Sequence, residues 1–328
     1  MMKKHVNIKD MTLGQNLDGF YLVKSKRSAK TKSGKIYLDI DLQDRTGIIN
    51  SKVWDNAEAC DELFKRGDVV KIRADVEEFR GRLQLRMKKL RALDDSDEVS
   101  LDELIPSTEK NPDAMLDYLL ERIAEMKNPH LKALLELFFQ NEEFLARFKK
   151  SAAARNLHHA FRGGLLEHVH SMTRIAVFLS EEIYPDLNHD LILAGTLLHD
   201  LGKMDELDSE MDVSYTHKGY LLGHIYLSAR MMDEKAKEIP DFPEELRLHL
   251  LHIILSHHGE HEWGSPVLPA TPEAMLIHHI DNLDAKVNMV KDAIASDRNI
   301  DETFTQYHSA LQRHLYKGRP EGPSGQGS

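Results

Sequence analysis

Up to Leu93, apolar and polar residues alternate in short runs; beyond it, apolar positions recur every three or four residues. The first regime predicts strands. Residues 20–25 are apolar and β-rich, residues 36–42 alternate, and residues 47–54 follow the turn Asp44-Arg45-Thr46-Gly47. Residues 56–65 carry Ala57, Leu63 and Phe64 at helical spacing. After a break at Gly67-Asp68, residues 69–76 and 82–90 read as a hairpin about Arg80-Gly81. Three strands, a helix and two strands is the element order of an OB-fold barrel, which binds single strands across one sheet face.

The second regime predicts an all-helical body. Residues 112–126 and 131–139 are amphipathic, 141–150 is a further short helix, and nothing after Leu93 patterns as a strand. The acidic stretch 94–113, with Pro106 and Pro112, reads as a linker, and the Gly/Pro/Ser-rich end, 318–328, as a disordered tail. The expected division is a barrel over 1–93, a linker over 94–113, a helical connector over 114–154, a catalytic helical domain over 155–317 and a tail over 318–328. The apolar helices of 112–139 are expected to be available to a partner subunit in a homo-oligomer.

The 328 residues, 41% hydrophobic and 30% charged, are those of an ordinary globular protein. The single cysteine, Cys60, excludes an intrachain disulfide framework and any thiolate zinc site. The start has no apolar signal region, and the most apolar run, 191–198, is too short to span a bilayer, so a cytoplasmic protein is expected. The net charge of −11 hides an asymmetry: residues 1–93 hold 21 Lys+Arg against 13 Asp+Glu, a balance of +8, leaving −19 for the rest. A basic module in an acidic protein points to nucleic acid. Lys24, Lys26, Arg27, Arg80 and Arg82, with further basic residues at Lys30, Lys32, Lys35, Arg86 and Lys88, fall on the polar side of the barrel. Tyr21, Tyr37, Trp54 and Phe79 are candidate stacking platforms among them.

Histidine is skewed the other way, with 15 of 19 between His158 and His279. A helix over 165–182 has the inward stripe His168, Met172, Ile175 and Leu179. The next, over 190–201, is apolar almost all round yet ends in His199-Asp200-Leu201-Gly202-Lys203. An adjacent His-Asp pair at a buried helix end is costly unless a divalent metal compensates it. A third helix, 220–238, carries His224 on its apolar side; a fourth, with Asp241 as cap and Pro243 near its start, leads through Leu246, Leu250 and Ile253 to His257-His258. A fifth opens at Thr271-Pro272-Glu273 and carries Asp281 on a face with Ala274, Ile277 and Ala285. One inward histidine is more often a satisfied core residue than a ligand; seven such groups on five successive helices are not. Five histidines and two carboxylates suit Mn²⁺, Fe²⁺ or Co²⁺ better than Mg²⁺.

The order His168, His199-Asp200 and a distant Asp281 resembles the HD-domain metal-dependent phosphohydrolases, and His224 with His257-His258 matches the subset holding two metals. With the barrel added, the whole chain resembles the YhaM-type 3′-to-5′ exoribonucleases. The stretches His158-His159-Ala160-Phe161-Arg162-Gly163-Gly164-Leu165-Leu166-Glu167-His168 and Tyr220-Leu221-Leu222-Gly223-His224 look like theirs. That resemblance implies hydrolysis of single-stranded RNA, and in part single-stranded DNA, from the 3′ end to mononucleotides, with two divalent ions, foremost Mn²⁺. By analogy His168, His199 and Asp281 hold one ion, His224, His257 and His258 the other, and Asp200 bridges them. No Ser or Cys nucleophile is then needed. Lys203 would neutralise charge developing on the phosphate, and His159 and Arg162 would touch substrate or support a ligand. The rival readings are a phosphodiesterase of cyclic dinucleotides, a phosphohydrolase of free nucleotides, and a non-catalytic binding protein with a relict site. The cyclic-dinucleotide enzymes carry a Gly-Tyr-Pro signature, whereas here Gly219-Tyr220 is followed by Leu221.

Overall fold

The computed structural model describes residues 5–31, 34–94, 96–155, 159–209, 213–297 and 302–318. Lys32, His158 and residues 319–328, about which the sequence raised expectations, lie outside the described residues. The chain divides into two compact units, residues 1–109 with 209–212, and 110–208 with 213–328.

In the first unit the alternating pattern folds as β1 (Asn16–Lys30), β2 (Ile36–Asp44), β3 (Gly47–Val53), α1 (Ala57–Glu62), β4 (Val69–Phe79) and β5 (Arg82–Ala92). The strands close a barrel in the order β1-β2-β3-β5-β4. The β3–β5 seam is parallel and short, pairing only Asn50–Lys52 with Gln84–Arg86. This is the OB-fold expected from the element order. β1 outruns its apolar stretch because it serves two neighbours, β4 through Asn16–Leu22 and β2 through Leu22–Lys30. Alternate residues Leu17, Val23, Leu38, Ile40, Leu42, Val70, Ile72, Ala74 and Leu85 fill the interior. Asp44 shapes the β2–β3 turn: fully buried, it accepts the N–H groups of Ile8, Thr46 and Gly47. Burial opposes its ionisation, but the side chains of His5 and Thr46 and the N–H groups of Thr46 and Ile8 hold its carboxyl below the usual range.

Residues 94–109 depart from the expected linker. Leu104 is buried against Leu22 and Val69, and Asp97 receives a bidentate guanidinium from Arg91 at 2.5 and 2.7 Å. An acidic stretch beside a basic barrel neutralises part of it, and two apolar residues in that stretch suffice to dock it.

The second unit comprises α2 (Pro112–Glu125), α3 (Pro129–Phe139), α4 (Glu142–Phe148), α5 (Gly164–Phe178), α6 (His189–Leu198), α7 (Lys203–Glu206), a ribbon of β6 (Leu207–Asp208) and β7 (Ser214–Tyr215), α8 (His217–Ala236), α9 (Glu244–Ser256) and α10 (Pro272–Ser296). The two-residue ribbon is too short to leave an alternating pattern. Asn111, Asn128 and Asn141 cap α2, α3 and α4 with their side chains, the first two with Pro at N1. Asp241 does not cap α9; it sits at φ 54°, and Pro243 occupies the N-cap position. Thr271 caps α10 as expected, accepting from Ala274 N–H at 3.2 Å.

One core runs through the whole unit, joining Leu119, Leu131, Phe138, Leu165, Met172, Leu197, Ile253 and Ile277. Residues 114–154 are therefore part of the helical body. The apolar faces of α2 and α3, expected to be available to a partner subunit, are filled from within the chain. α6 is buried on every side, which is why its sequence lacks a polar stripe.

The turn between α6 and α7 lies hard against α8. A Cβ on Gly202 would stand 2.3 Å from His224 O and 2.5 Å from Ser228 N, and the Gly202 N–H donates to Ser228 Oγ at 2.8 Å. Backbone cannot yield as a side-chain tip can. Gly202→Ala is expected to lower the stability of the helical unit by about 1–3 kcal/mol, read as a shift in its urea unfolding midpoint. An unshifted midpoint would mean the turn and α8 part freely.

Candidate metal centre

Five helices deliver seven side chains to one buried point. His168 projects from the second turn of α5, His199 and His257 occupy the C-cap positions of α6 and α9, and Asp281 lies in the middle of α10. Asp200 and His258 follow the two C-caps directly. His224 follows Gly223, whose φ of 69° kinks α8, a conformation natural only to glycine. The kink accounts for the glycine in Tyr220-Leu221-Leu222-Gly223-His224.

Asp200 is the hub, only 1% exposed. Its Oδ2 faces His199 Nε2 at 3.3 Å and His168 Nε2 at 3.6 Å, and His168 Nε2 in turn faces Asp281 Oδ1 at 3.3 Å. Its Oδ1 faces His224 Nε2 at 3.5 Å and His257 Nε2 at 3.6 Å, and His258 Nε2 lies 3.3 Å from His224 Nε2. The two carboxylate oxygens thus serve two different sets of imidazoles. The ligand atoms of His168, His199 and Asp281 lie within 4.8 Å of one another, as do those of His224, His257 and His258.

Every imidazole is fixed from behind. Nδ1 of His199 bonds to Thr196 O at 2.8 Å, that of His257 to Ile254 O at 2.7 Å, and that of His258 to Trp263 O at 2.7 Å. A carbonyl only accepts, so each Nδ1 carries a hydrogen; Nε2 of His199 and of His257 then faces Asp200, and Nε2 of His258 faces His224. The first two acceptors belong to the last turns of α6 and α9, where helix carbonyls lack intrahelical partners. His168 Nδ1 meets Asp284 Oδ2 at 2.8 Å, and His224 Nδ1 meets Glu206 Oε1 at 3.1 Å. Backing carbonyls and carboxylates are what metal-ligating histidines require.

The donor set fits a cation on a second count. His199 Nε2, His257 Nε2 and Asp200 Oδ1 are buried without a hydrogen-bond partner. Orphaned buried polar atoms are expensive, and five imidazoles with two carboxylates suit a divalent transition ion. The charges already compensate for one. Burial opposes ionisation of Asp200, but Lys203 Nζ, 2.6 Å from Oδ2, and His199 hold its carboxyl well below the usual range. His168, despite burial, is raised to about 9 by Asp281 and Asp284. Burial and the neighbouring His258 and His199 push His257 well down, keeping it neutral.

Sequence reasoning missed Asp284 and Glu206. Asp284 accepts from Ser171 Oγ at 2.6 Å and meets both His168 and His159, the latter at 3.1 Å. Its signal was its position three residues after Asp281 on one helix face; Glu206 had none. His159, expected to touch substrate or to support a ligand, is buried beneath His168, with Asn288 Nδ2 3.2 Å from its Nε2. Its role is support for a ligand's partner. Arg162 is half-buried in the turn ahead of α5. His278 donates from Nδ1 to His257 O at 2.8 Å.

On the barrel the expected contacts separate. Lys26 is turned inward: it donates to Asp61 O at 2.6 Å and to Phe64 O, and pairs with the Asp61 carboxylate at 2.8 Å. It clamps the end of α1 and is spent there. Tyr21 is a core residue whose hydroxyl donates to Val6 O at 2.8 Å. Arg27 is exposed beside Asp39 at 3.0 Å, and Lys24 is half-buried. Tyr37 stacks on Trp54 with centroids 4.7 Å apart. Arg80 lies over the exposed ring of Phe79 at 5.2 Å, and Arg82 is exposed next to it. Among the described residues no helix is long and apolar enough to cross a membrane.

Comparison with known proteins agrees with both units. The HD domain family matches residues 165–286, and the OB-fold nucleic acid binding domain matches residues 22–93. The chain is 37% identical over 306 residues to the 3′-5′ exoribonuclease YhaM of Bacillus subtilis (strain 168), covering 93% of this chain and 96% of that protein. It is 39% identical over 311 residues to the 3′-5′ exoribonuclease YhaM of Shouchella clausii (strain KSM-K16), covering 94% and 96%.

Two outcomes follow from the support groups. Glu206→Gln and Asp284→Asn should each weaken metal binding roughly 10–100-fold, measured by calorimetric titration with Mn²⁺ at fixed pH; unchanged affinity would mean these carboxylates orient nothing. Because a ligand must be neutral and His168 is protonated below about 9, metal uptake should release a proton. Affinity should therefore climb as pH rises from 6 toward 9, and a flat profile would contradict the assignment.

Proposed function

The chain belongs to the YhaM family of 3′-5′ exoribonucleases, and from that premise we propose that it hydrolyses single-stranded RNA to mononucleotides at a pair of divalent ions that share Asp200. It is a metal-dependent hydrolase of nucleic acid. His168, His199, Asp281 and Asp200 Oδ2 would hold one ion; His224, His257, His258 and Asp200 Oδ1 would hold the other. Mn²⁺ is the ion proposed, with Fe²⁺ or Co²⁺ as alternatives of the same donor preference. Single-stranded DNA is proposed as a secondary substrate, and the cytoplasm as the place of action. The observation that carries the reading is the partition of Asp200, one oxygen to each set of imidazoles.

Bound divalent ions polarise the scissile phosphate and make water a nucleophile near neutral pH. The chain's own residues do the rest. The rear hydrogen bonds hold the five imidazole rings in place before substrate arrives, so little reorganisation is needed at the moment of reaction. The buried helix ends exclude competing water from the ligands. Lys203, 2.6 Å from Asp200 and 12% exposed, sets an ammonium beside the seven side chains. It balances the carboxylate in the free protein and is proposed to share its charge with the phosphate during attack. Arg162 is proposed as a phosphate contact. On the barrel, Lys24, Arg27, Tyr37, Arg80 and Arg82 are proposed to hold the upstream strand; Lys26, occupied at α1, is withdrawn from that set.

The test is digestion of an end-labelled single-stranded RNA with Mn²⁺, with a free nucleotide and a cyclic dinucleotide in parallel. Wild type should release mononucleotides from RNA. Asp200→Asn should lower turnover by roughly 10²–10³-fold or more while RNA affinity holds. His257→Ala and His258→Ala should each cost far more than His261→Ala, whose Nδ1 engages Ser265 O at 3.0 Å instead of facing Asp200. Equal losses at all three histidines, or a nearly active Asp200→Asn, would defeat the two-ion reading.

A further inference from the structure

We propose that single-stranded RNA also lies in a groove on the outer face of β4 and β5, away from Lys24 and Arg27 on β1 and from Arg80 and Arg82 at the β4–β5 turn. The inference rests on the nuclease reading above and deepens it.

The groove encloses about 950 Å³. It opens where the barrel seam is shortest: β3 and β5 pair over only three residues, and beyond them Val53 and Trp54 diverge from Met87 and Leu90. Six Lys and Arg side chains line it against three Asp. All three acids are already paired, Asp18 with Arg73 at 2.8 Å, Asp75 with Lys88 at 2.6 Å and Asp55 with Lys35 at 3.1 Å. Neither Lys89 nor Arg86, which faces Asp75 across the β4–β5 pair and helps Lys88 to hold its carboxyl below the usual range, is held in an ion pair among the described residues, so both remain available to an anion. A β-bulge explains why so many cations share a face. Arg73 pairs with Lys89 while the next residue, Ala74, pairs with Met87, so Lys88 is the extra residue and both lysines are exposed.

Three features favour an extended polyanion over an acidic protein surface. Alternate residues on a strand are about 6–7 Å apart, the order of the phosphate spacing in an extended single strand, so Arg86 and Lys88 can meet successive phosphates. Trp54, 43% exposed and backed by Tyr37, offers a ring face at the rim on which a base can stack. Arg73 and Lys88 are each paired with one aspartate, and these pairs can be re-formed around phosphates at little cost, whereas Arg91 stays with Asp94 and Asp97 and Lys71 with Asp97.

Cys60, the only cysteine of the chain, also lines the groove, so the protein carries its own reporter. The experiment uses the full-length Asp200→Asn chain, which should bind RNA without consuming it, and a fluorescent oligouridylate. Saturating RNA should slow maleimide labelling of Cys60 at least severalfold. Arg86→Glu with Lys89→Glu should weaken RNA binding tenfold or more and flatten the slope of log affinity against log salt by roughly 1.4, two contacts at ~0.7 each. Arg86→Ala with Lys89→Ala gives the same direction should charge reversal impair folding. An unprotected Cys60 at saturation, or unchanged affinity and salt slope in both double variants, overturns the groove while leaving the nuclease reading intact. A wild-type chain that neither binds nor degrades RNA defeats that reading and the groove with it.

Discussion

The second unit is organised around a buried carboxylate. Asp200 is cut off from water and held in its charged form, a state whose desolvation would be prohibitive without compensation. Compensation comes from Lys203 at 2.6 Å and from four imidazole nitrogens between 3.3 and 3.6 Å. No helix end supplies all of that alone, so five segments must converge. The glycines at 202 and 223 are the steric terms of the convergence: one lets α8 approach the His199-Asp200 turn, the other bends α8 so that His224 enters.

Convergence alone does not make a cation site; the imidazoles must also point the right nitrogen. The fold solves this with groups it already has. His199 and His257, as C-caps, satisfy carbonyls that α6 and α9 would otherwise leave orphaned, and the same bonds dictate which nitrogen is unprotonated. Helix termination and ligand orientation are one interaction. Asp284 and Glu206 do the equivalent for His168 and His224, whose mid-helix positions offer no free carbonyl.

This division explains what could be read from the sequence. The seven converging side chains were legible because each is a polar residue on an apolar stripe or at the end of a buried helix, where burial without purpose is costly. The barrel was legible from alternation and from the order of its elements. Lys26 was misjudged because a strand pattern tells which face a lysine lies on, not whether a neighbouring helix end offers carbonyls to it. For His159 the sequence left two places open, substrate or support, because its partner Asp284 is 125 positions away. The linker failed to be one because Asp97 and Leu104 find the barrel, a tertiary fact with no local signature. Glu206, a surface-like acid in a charged stretch, becomes a support only through the kink at Gly223.

The central claim is that Asp200 divides its oxygens between two ions. Anomalous diffraction at the manganese edge, from crystals of the intact chain grown with Mn²⁺, tests it most directly. The account predicts two peaks flanking the Asp200 carboxylate, one among His168, His199 and Asp281, the other among His224, His257 and His258. A single peak on one side of Asp200 at saturating Mn²⁺, with the other three ligands empty, would contradict it.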